Sequence, residues 1–243
     1  MDTTKYKDFA REVLGVEFND LELLITAFTH RSYVNEHKKT ARVHNERLEF
    51  LGDAVLELAV TEYLYRNYEE PEGILTNWRS ALVRTESIGA AATLAGFEPL
   101  LRLSRGEKRG TERARLQILA NSFEAVIGAL YLDQGYLASK DFIERTILST
   151  LESILKSGSW MDPKSHLQEL SQSVDGFTPI YKVLDEIGPD HDKVFTIGVF
   201  VNGVLRGRGN GPSKQVGQQN AASEALNYYK AQIKQIDKSK DNL

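Results

Sequence analysis

The sequence predicts a two-domain protein: an all-α block over residues 4–155, then a small α+β domain of order α-β-β-β-α over residues 162–231. Three observations carry this division. Apolar residues recur at helical spacing through the first block. The pattern changes after Lys156-Ser157-Gly158-Ser159, which has the composition of a linker over residues 156–161. Beyond it, Asn202-Gly203 separates two β-rich runs, as in a two-residue type I′ hairpin.

The elements follow in order. Residues 4–15 read as a short amphipathic helix with Phe9, Val13 and Leu14 inward. Asp20 is placed to cap a second helix carrying Leu21, Leu23, Leu24, Ala27 and Phe28, which Thr29-His30-Arg31-Ser32-Tyr33 ends. Residues 34–43, with Lys38, Lys39 and Arg42, read as an exposed loop. A long helix is expected over residues 45–66, then a turn at Glu69-Glu70-Pro71-Glu72-Gly73. Residues 74–95 are again helical in pattern and are closed by Gly96 as the C′ residue. Residues 102–115 are the most basic stretch, with Arg102, Arg105, Lys108, Arg109, Arg113 and Arg115 against Glu107 and Glu112. The helix expected over residues 116–133 is apolar almost all round, which marks it as central, and its Gly128 would let another helix approach closely. A helix over residues 139–155 completes the block. In the second domain, Asp162-Pro163 opens a short helix with Leu167 and Leu170. Strands are expected over residues 178–184, 195–201 and 204–209, and a last helix begins near Ser213-Lys214. Residues 232–243 read as a polar tail, expected to lack order beyond Ile236.

Composition bounds the chemistry. At 41% hydrophobic and 26% charged residues, the 243-residue chain has an ordinary globular balance. It contains no cysteine, which excludes disulfides, thiolate zinc sites and cysteine nucleophiles and is compatible with a reducing cytoplasm. The first residues lack a signal-peptide pattern, and no apolar run is long enough to span a bilayer. The net charge of −4 argues mildly against nucleic-acid binding by bulk charge and leaves the matter to local distribution. The five histidines (His30, His37, His44, His166 and His191) are scattered, and His30 and His44 read as structural. No nucleophile elbow, phosphate-binding loop or dinucleotide fingerprint is present.

One constellation stands out. Glu46, Glu49 and Asp53 sit at i, i+3 and i+7, so one helix face carries all three, with Leu48, Leu51, Val55 and Leu58 opposite. On the central helix, Asn121 and Glu124 repeat the i, i+3 spacing on a segment otherwise almost without polar residues. Buried carboxylates are paired or hold a metal. Oxygen donors in this number suit a hard divalent cation such as Mg²⁺. The competing reading pairs the acids with Arg47, Arg79 or Arg84. The isolated Asn121/Glu124 pair favours the cation site. Glu57, at i+11 on the same stripe, reads as solvated or salt-bridged.

The run His44-Asn45-Glu46-Arg47-Leu48-Glu49-Phe50-Leu51-Gly52-Asp53 closely resembles the defining motif of ribonuclease III. Thr29 to Tyr33, Glu72-Gly73, Leu82-Val83-Arg84 and Ile118-Leu119-Ala120-Asn121-Ser122-Phe123-Glu124-Ala125 also fit that family, in the right order. The second domain resembles a double-stranded-RNA-binding domain through Leu167-Gln168-Glu169, Pro179-Ile180-Tyr181, Gly188-Pro189-Asp190-His191 and Gly211-Pro212-Ser213-Lys214. The resemblance implies an all-α ribonuclease III nuclease domain acting as a homodimer, without membrane attachment and in the cytoplasm. It implies Mg²⁺-dependent cleavage of double-stranded RNA to 5′-phosphate and 3′-hydroxyl ends with short 3′ overhangs. The expected substrates are ribosomal precursors and structured messenger and transfer RNA. Position by position, it implies Glu49, Asn121 and Glu124 as metal ligands and Asp53 and Glu124 as catalytic acids. Glu46 and Glu72 would be auxiliary acids, and Phe50 would lie at the dimer interface. Gln168, His191 and Lys214 would contact RNA.

The chain also departs from the family. Asn121 stands where Asp is usual; its amide oxygen lacks the charge, so weaker Mg²⁺ affinity or a shift towards Mn²⁺ is expected. Gln215 and Gly217 replace an expected lysine and alanine. Over residues 162–230, seven basic residues face eight acids, so weak RNA binding by this domain alone is expected. The basic stretch over residues 102–115 reads either as an RNA grip or as a solvated loop. A second hypothesis is a non-catalytic RNA-binding or ribosome-associated protein on the same fold. The retained Asp53 and Glu124 favour the enzyme.

Overall fold

A computed structural model of the chain describes residues 3–39, 41–189 and 193–240. The chain divides into two compact units, Met1–Ser157 and Gly158–Leu243.

The first unit is all-α. Its helices are α1 (Thr4–Phe9, continued by a wide π turn over Ala10–Leu14), α2 (Leu21–Ala27), α3 (Arg31–Glu36), α4 (Glu46–Asn67), α5 (Glu72–Leu82), α6 (Thr85–Leu94), α7 (Glu112–Gln134), α8 (Tyr136–Thr146) and α9 (Leu151–Ser157). Asp20 caps α2 by accepting from the Glu22 N–H. Gly96 takes the left-handed conformation expected after a helix end, with φ +75°. A chain of edge-on and offset rings runs through the core, from Phe9 and Phe28 to Phe97, then Phe123 and Phe142.

The central event is the crossing of α4 and α7. A Cβ on Gly52 would lie 1.7 Å from the carbonyl oxygen of Glu124, and one on Gly128 would lie 2.2 Å from that of Leu48. Backbone therefore packs on backbone, and no side chain fits between. Leu48, Val55, Leu56, Ala59, Val60 and Leu64 are buried around this contact, while Ile118 to Ala120 and Ala125 to Leu130 fill the core from α7.

The entry into α4 is fixed by hydrogen bonds. The Asn45 N–H donates to the Thr29 carbonyl at 2.9 Å, and its side-chain amide donates to the Ala27 carbonyl at 3.3 Å. Thr29 in turn receives Arg102 Nη1 at 3.1 Å, and the Arg102 N–H donates to the Phe28 carbonyl at 2.8 Å. Buried Thr29 and Asn45 are thereby satisfied, as buried polar groups must be.

Several expectations need correction. Thr29 to Tyr33 does not simply end a helix: His30 Nδ1 accepts from the Ser32 N–H and starts α3. Residues 74–95 form two helices, because the backbone extends at Arg84 and the Ser87 hydroxyl bonds the Ala81 carbonyl freed there. The helix expected over residues 139–155 is divided by a 3₁₀ turn at Leu148–Thr150. Leu58 is exposed at 57% rather than inward, because the narrow crossing buries a stripe rotated away from it.

The second unit holds α10 (Pro163–Val174), β1 (Ile180–Ile187), β2 (Val194–Val201), β3 (Val204–Gly211) and α11 (Lys214–Lys240). Asp162 caps α10 through the Lys164 and Ser165 N–H groups. The sheet is antiparallel in the order β1-β2-β3, with Asn202 and Gly203 both at positive φ in the hairpin. Gly207, Gly209 and Gly211 let β3 lie directly against α11, where a Cβ would meet backbone at 2.2 to 2.7 Å. Gly217 has the same origin: a Cβ there would sit 2.6 Å from Ile197. Leu167, Ile197, Val199, Ala221, Ala222, Ala225, Leu226 and Tyr229 form the core. The last helix continues to Lys240 where a polar tail is expected, since residues 230–240 contain no glycine or proline to stop it.

Replacing Gly52 or Gly128 by alanine is expected to cost about 3 kcal/mol, since backbone must move to admit the methyl group. Gly73→Ala, whose Cβ meets nothing within 4 Å, is expected to stabilise α5 by about 0.5 kcal/mol. Urea denaturation of the three variants checks both the sign and the order.

Candidate metal centre

The crossing sets Glu49 and Asp53 on α4 against Glu124 on α7. Burial pushes the Glu124 carboxyl up to about 7, and the charges of Asp53 and Glu49 push the same way. Glu49 is also raised, by burial first and then by Glu46, with Asp53 adding to the repulsion and a hydrogen bond from the Asn121 side chain opposing it. These contacts place Glu49, Asp53, Asn121 and Glu124 in one neighbourhood.

The partners of nearby acids differ sharply. Glu46 is exposed and pairs with Arg31 at 3.4 Å. Glu57 pairs with Arg79 at 3.0 Å, which agrees with its reading as salt-bridged. Glu62 pairs with Arg66 at 2.8 Å and Lys140 at 3.1 Å and accepts from the Tyr136 hydroxyl at 2.7 Å, which holds it down at about 2. Among the described residues, no ion pair engages Glu49, Asp53 or Glu124. The competing reading, in which arginines neutralise these acids, therefore applies to Glu46 and Glu57 only.

Among the described residues, no three His, Cys, Asp or Glu side chains already converge tightly enough to form a finished cation cage. The donor set nevertheless fits a hard divalent ion. It is all oxygen, it repels itself, and it lacks a basic partner. Asn121 is placed differently from the expected ligand. Its Oδ1 accepts from Gln117 Nε2 at 2.7 Å, while its amide donates to Glu49. Gln117 was not among the residues the sequence singled out. Its position one turn before Asn121, the spacing at which helical amides bond, was the available signal.

The remaining expected residues are dispersed. Glu72 opens α5 and lines a separate cleft with Leu64, Tyr65, Tyr68, Leu75 and Arg79. Phe50 is 82% exposed beside a cleft of ≈ 820 Å³ lined by Leu23, Val43, Leu48, Leu51 and Leu132. In the basic stretch, Arg102 is spent over the Tyr33 ring and Arg115 on Glu98, while Arg105, Lys108, Arg109 and Arg113 are exposed. In the second unit, Gln168 is exposed on α10, and Lys214 at the start of α11 pairs with Glu186 at 3.5 Å. His191 lies outside the described residues.

Comparison with known proteins gives concordant matches. Residues 20–151 match the family described as Ribonuclease-III-like, and residues 163–229 match the double-stranded RNA binding motif. The chain is 46% identical over 219 residues to Ribonuclease 3 of Latilactobacillus sakei, spanning 89% of this chain and 94% of that relative. It is 45% identical over 217 residues to Ribonuclease 3 of Enterococcus faecalis, with coverage of 89% and 94%. Two solved structures of the nuclease domain of ribonuclease III from Campylobacter jejuni also match. One gives a TM-score of 0.53 at 37% identity, covering 58% of this chain and 96% of that one. The other gives 0.51 at 36%, covering 59% and 94%.

The raised Glu124 carboxyl has a consequence for stability. The folded form holds this proton up to about pH 7, whereas an unfolded glutamate releases it near about 4.3. Between those values the folded state binds more protons, so the stability this group contributes is complete below the lower one and lost as pH rises through 7. Without divalent ions, the chain is expected to lose stability relative to Glu124→Gln between pH 5 and pH 8. Paired thermal melts across that range check this, and parallel curves would refute it.

Proposed function

The chain belongs to the ribonuclease III family, and from that membership we propose that it is a divalent-cation-dependent endoribonuclease that cuts double-stranded RNA. The observation that carries this reading is the set of uncompensated carboxylates where α4 and α7 cross. Glu49 and Glu124 would hold Mg²⁺, with Mn²⁺ able to substitute. Asp53 and Glu124 would be the central catalytic acids, with Glu46 and Glu72 auxiliary. When bound, the cation offsets charge that develops on the phosphate under attack and favours deprotonation of water.

The chain's own residues do the rest. Asp53 and Glu124 exchange protons with the attacking water and the leaving oxygen, and the carboxyl of Glu124, poised near neutrality, suits that task. The products would be 5′-phosphate and 3′-hydroxyl ends with short 3′ overhangs. Ribosomal RNA precursors and structured messenger and transfer RNA are the proposed substrates, met in the cytoplasm. Consistently, among the described residues no helix is long and apolar enough to cross a membrane. Exposed Phe50 beside its apolar cleft supports a homodimer, in which each copy would offer a cleft to the other's ring. In the second domain, Gln168 would enter a minor groove of the duplex and Lys214 would contact phosphate.

A second reading, non-catalytic duplex RNA binding, draws on one observation: the Asn121 oxygen is already engaged by Gln117. Incubating the purified chain with labelled duplex RNA in Mg²⁺, Mn²⁺ and EDTA separates the two readings. Cleavage is expected with either ion and none in EDTA, and Glu124→Gln is expected to lose about a thousandfold of the rate, several kcal/mol of transition-state stabilisation. Absence of cleavage under any divalent ion selects the binding protein.

Asn121→Asp adds an anionic group beside the cation and is expected to lower the Mg²⁺ concentration for half-maximal cleavage roughly tenfold, with less gain in Mn²⁺. Superimposable Mg²⁺ titrations of the two proteins would exclude a role for the missing charge.

A further inference from the structure

Gln117 and Asn121 form a directional pair. Gln117 Nε2 donates to Asn121 Oδ1 at 2.7 Å, and the Asn121 side chain hydrogen-bonds Glu49 across the helix crossing. The direction is fixed chemically. An ionised carboxylate only accepts, so the Asn121 atom that faces Glu49 must be its NH₂ nitrogen. The amide oxygen then points the other way, where the NH₂ of Gln117 receives it. Turning Asn121 over would set oxygen against Glu49 and NH₂ against the Gln117 donor, breaking both bonds. An aspartate at position 121 could not make the donation to Glu49 at all, since two ionised carboxylates would face each other there.

We propose that Gln117 is a positioning residue: it locks the Asn121 amide so that its nitrogen holds the Glu49 carboxylate ready for a divalent cation. Asn121 thereby acts on the cation through Glu49 rather than as an oxygen ligand, and Gln117 acts through Asn121. This rests on the cation site proposed above and deepens it. Outer hydrogen-bond partners of metal-binding carboxylates set how well those carboxylates are oriented, and their loss shows directly in metal affinity.

The test measures Mn²⁺ affinity of the full chain by titration calorimetry, without RNA, for four proteins: the unmodified chain, Gln117→Met, Asn121→Ala and the double variant. Methionine keeps the length of glutamine and removes the donor. Gln117→Met is expected to weaken Mn²⁺ binding about tenfold and to add no further weakening in the Asn121→Ala background. Metal-free thermal melts of Gln117→Met should match the unmodified chain, which separates positioning from a general loss of fold. Unchanged Mn²⁺ affinity in Gln117→Met overturns the inference. Equal weakening in both backgrounds also overturns it, because the effect would then bypass Asn121. If the coupling is present but the chain cuts no duplex RNA, the inference stands and the cleavage reading falls. If the unmodified chain binds no Mn²⁺, the cation site and this inference fall together.

Discussion

The nuclease unit depends on the close approach of α4 and α7. Helices that meet through ordinary side chains lie about 8–10 Å apart. At Gly52 and Gly128 there is no side chain, and each backbone touches the other helix's carbonyl or amide. Glu124 contributes its carbonyl to that contact and its carboxylate to the acidic space beside it. The same residue is thus both part of the packing and part of the site. Wider spacing would carry Glu124 and Asn121 away from Glu49 and Asp53 and leave four unrelated surface groups.

This approach has a cost that the fold does not remove. Along α4, Glu46, Glu57 and Glu62 each find a basic partner on a neighbouring element. Glu49 and Asp53 lie between them on the same helix and find none among the described residues, and Glu124 opposite is driven towards its protonated form. What distinguishes the site from an acidic surface helix is therefore the distribution of basic partners, not the number of acids. Natural sequences break local rules of this kind where function requires it. The hydrogen bond from Asn121 is the only relief for Glu49 among the effects acting on its charge, and it is supplied by an amide that carries no charge of its own.

Much of this was legible in the sequence. The i, i+3, i+7 spacing put the acids on one helix face, and Gly128 on an apolar helix foretold the close approach. Asp20, Asp162-Pro163 and Asn202-Gly203 marked starts and turns correctly because each acts through its own backbone neighbourhood. The misses share a different cause. The break between α5 and α6 carries no proline or glycine; it is held by the Ser87 hydroxyl on a carbonyl six residues back, which periodicity does not register. His30 starts α3 with a ring nitrogen, outside the usual set of capping side chains. Leu58 matched the apolar spacing yet faces outward, because burial on α4 follows the glycine contact. Basic partners were equally hidden, since Arg79 reaches Glu57 from a different helix.

The second unit extends the same economy of glycine. Gly207, Gly209 and Gly211 on β3, with Gly217 on α11, let the strand and helix meet with little between them, so the core is built from alanines and a few larger residues. Its charges are nearly balanced, and Lys214, the expected phosphate contact, is shared with Glu186. On the proposed reading, this unit therefore recognises a duplex by shape more than by charge, because phosphate neutralisation supplies most non-specific affinity and this surface has little to give. The unspent cations are in the first unit: Arg105, Lys108, Arg109 and Arg113 are exposed, whereas Arg102 and Arg115 are consumed by packing against Tyr33 and Glu98. Duplex geometry would then be read by one unit, while the electrostatic grip sits on the unit that carries the carboxylates.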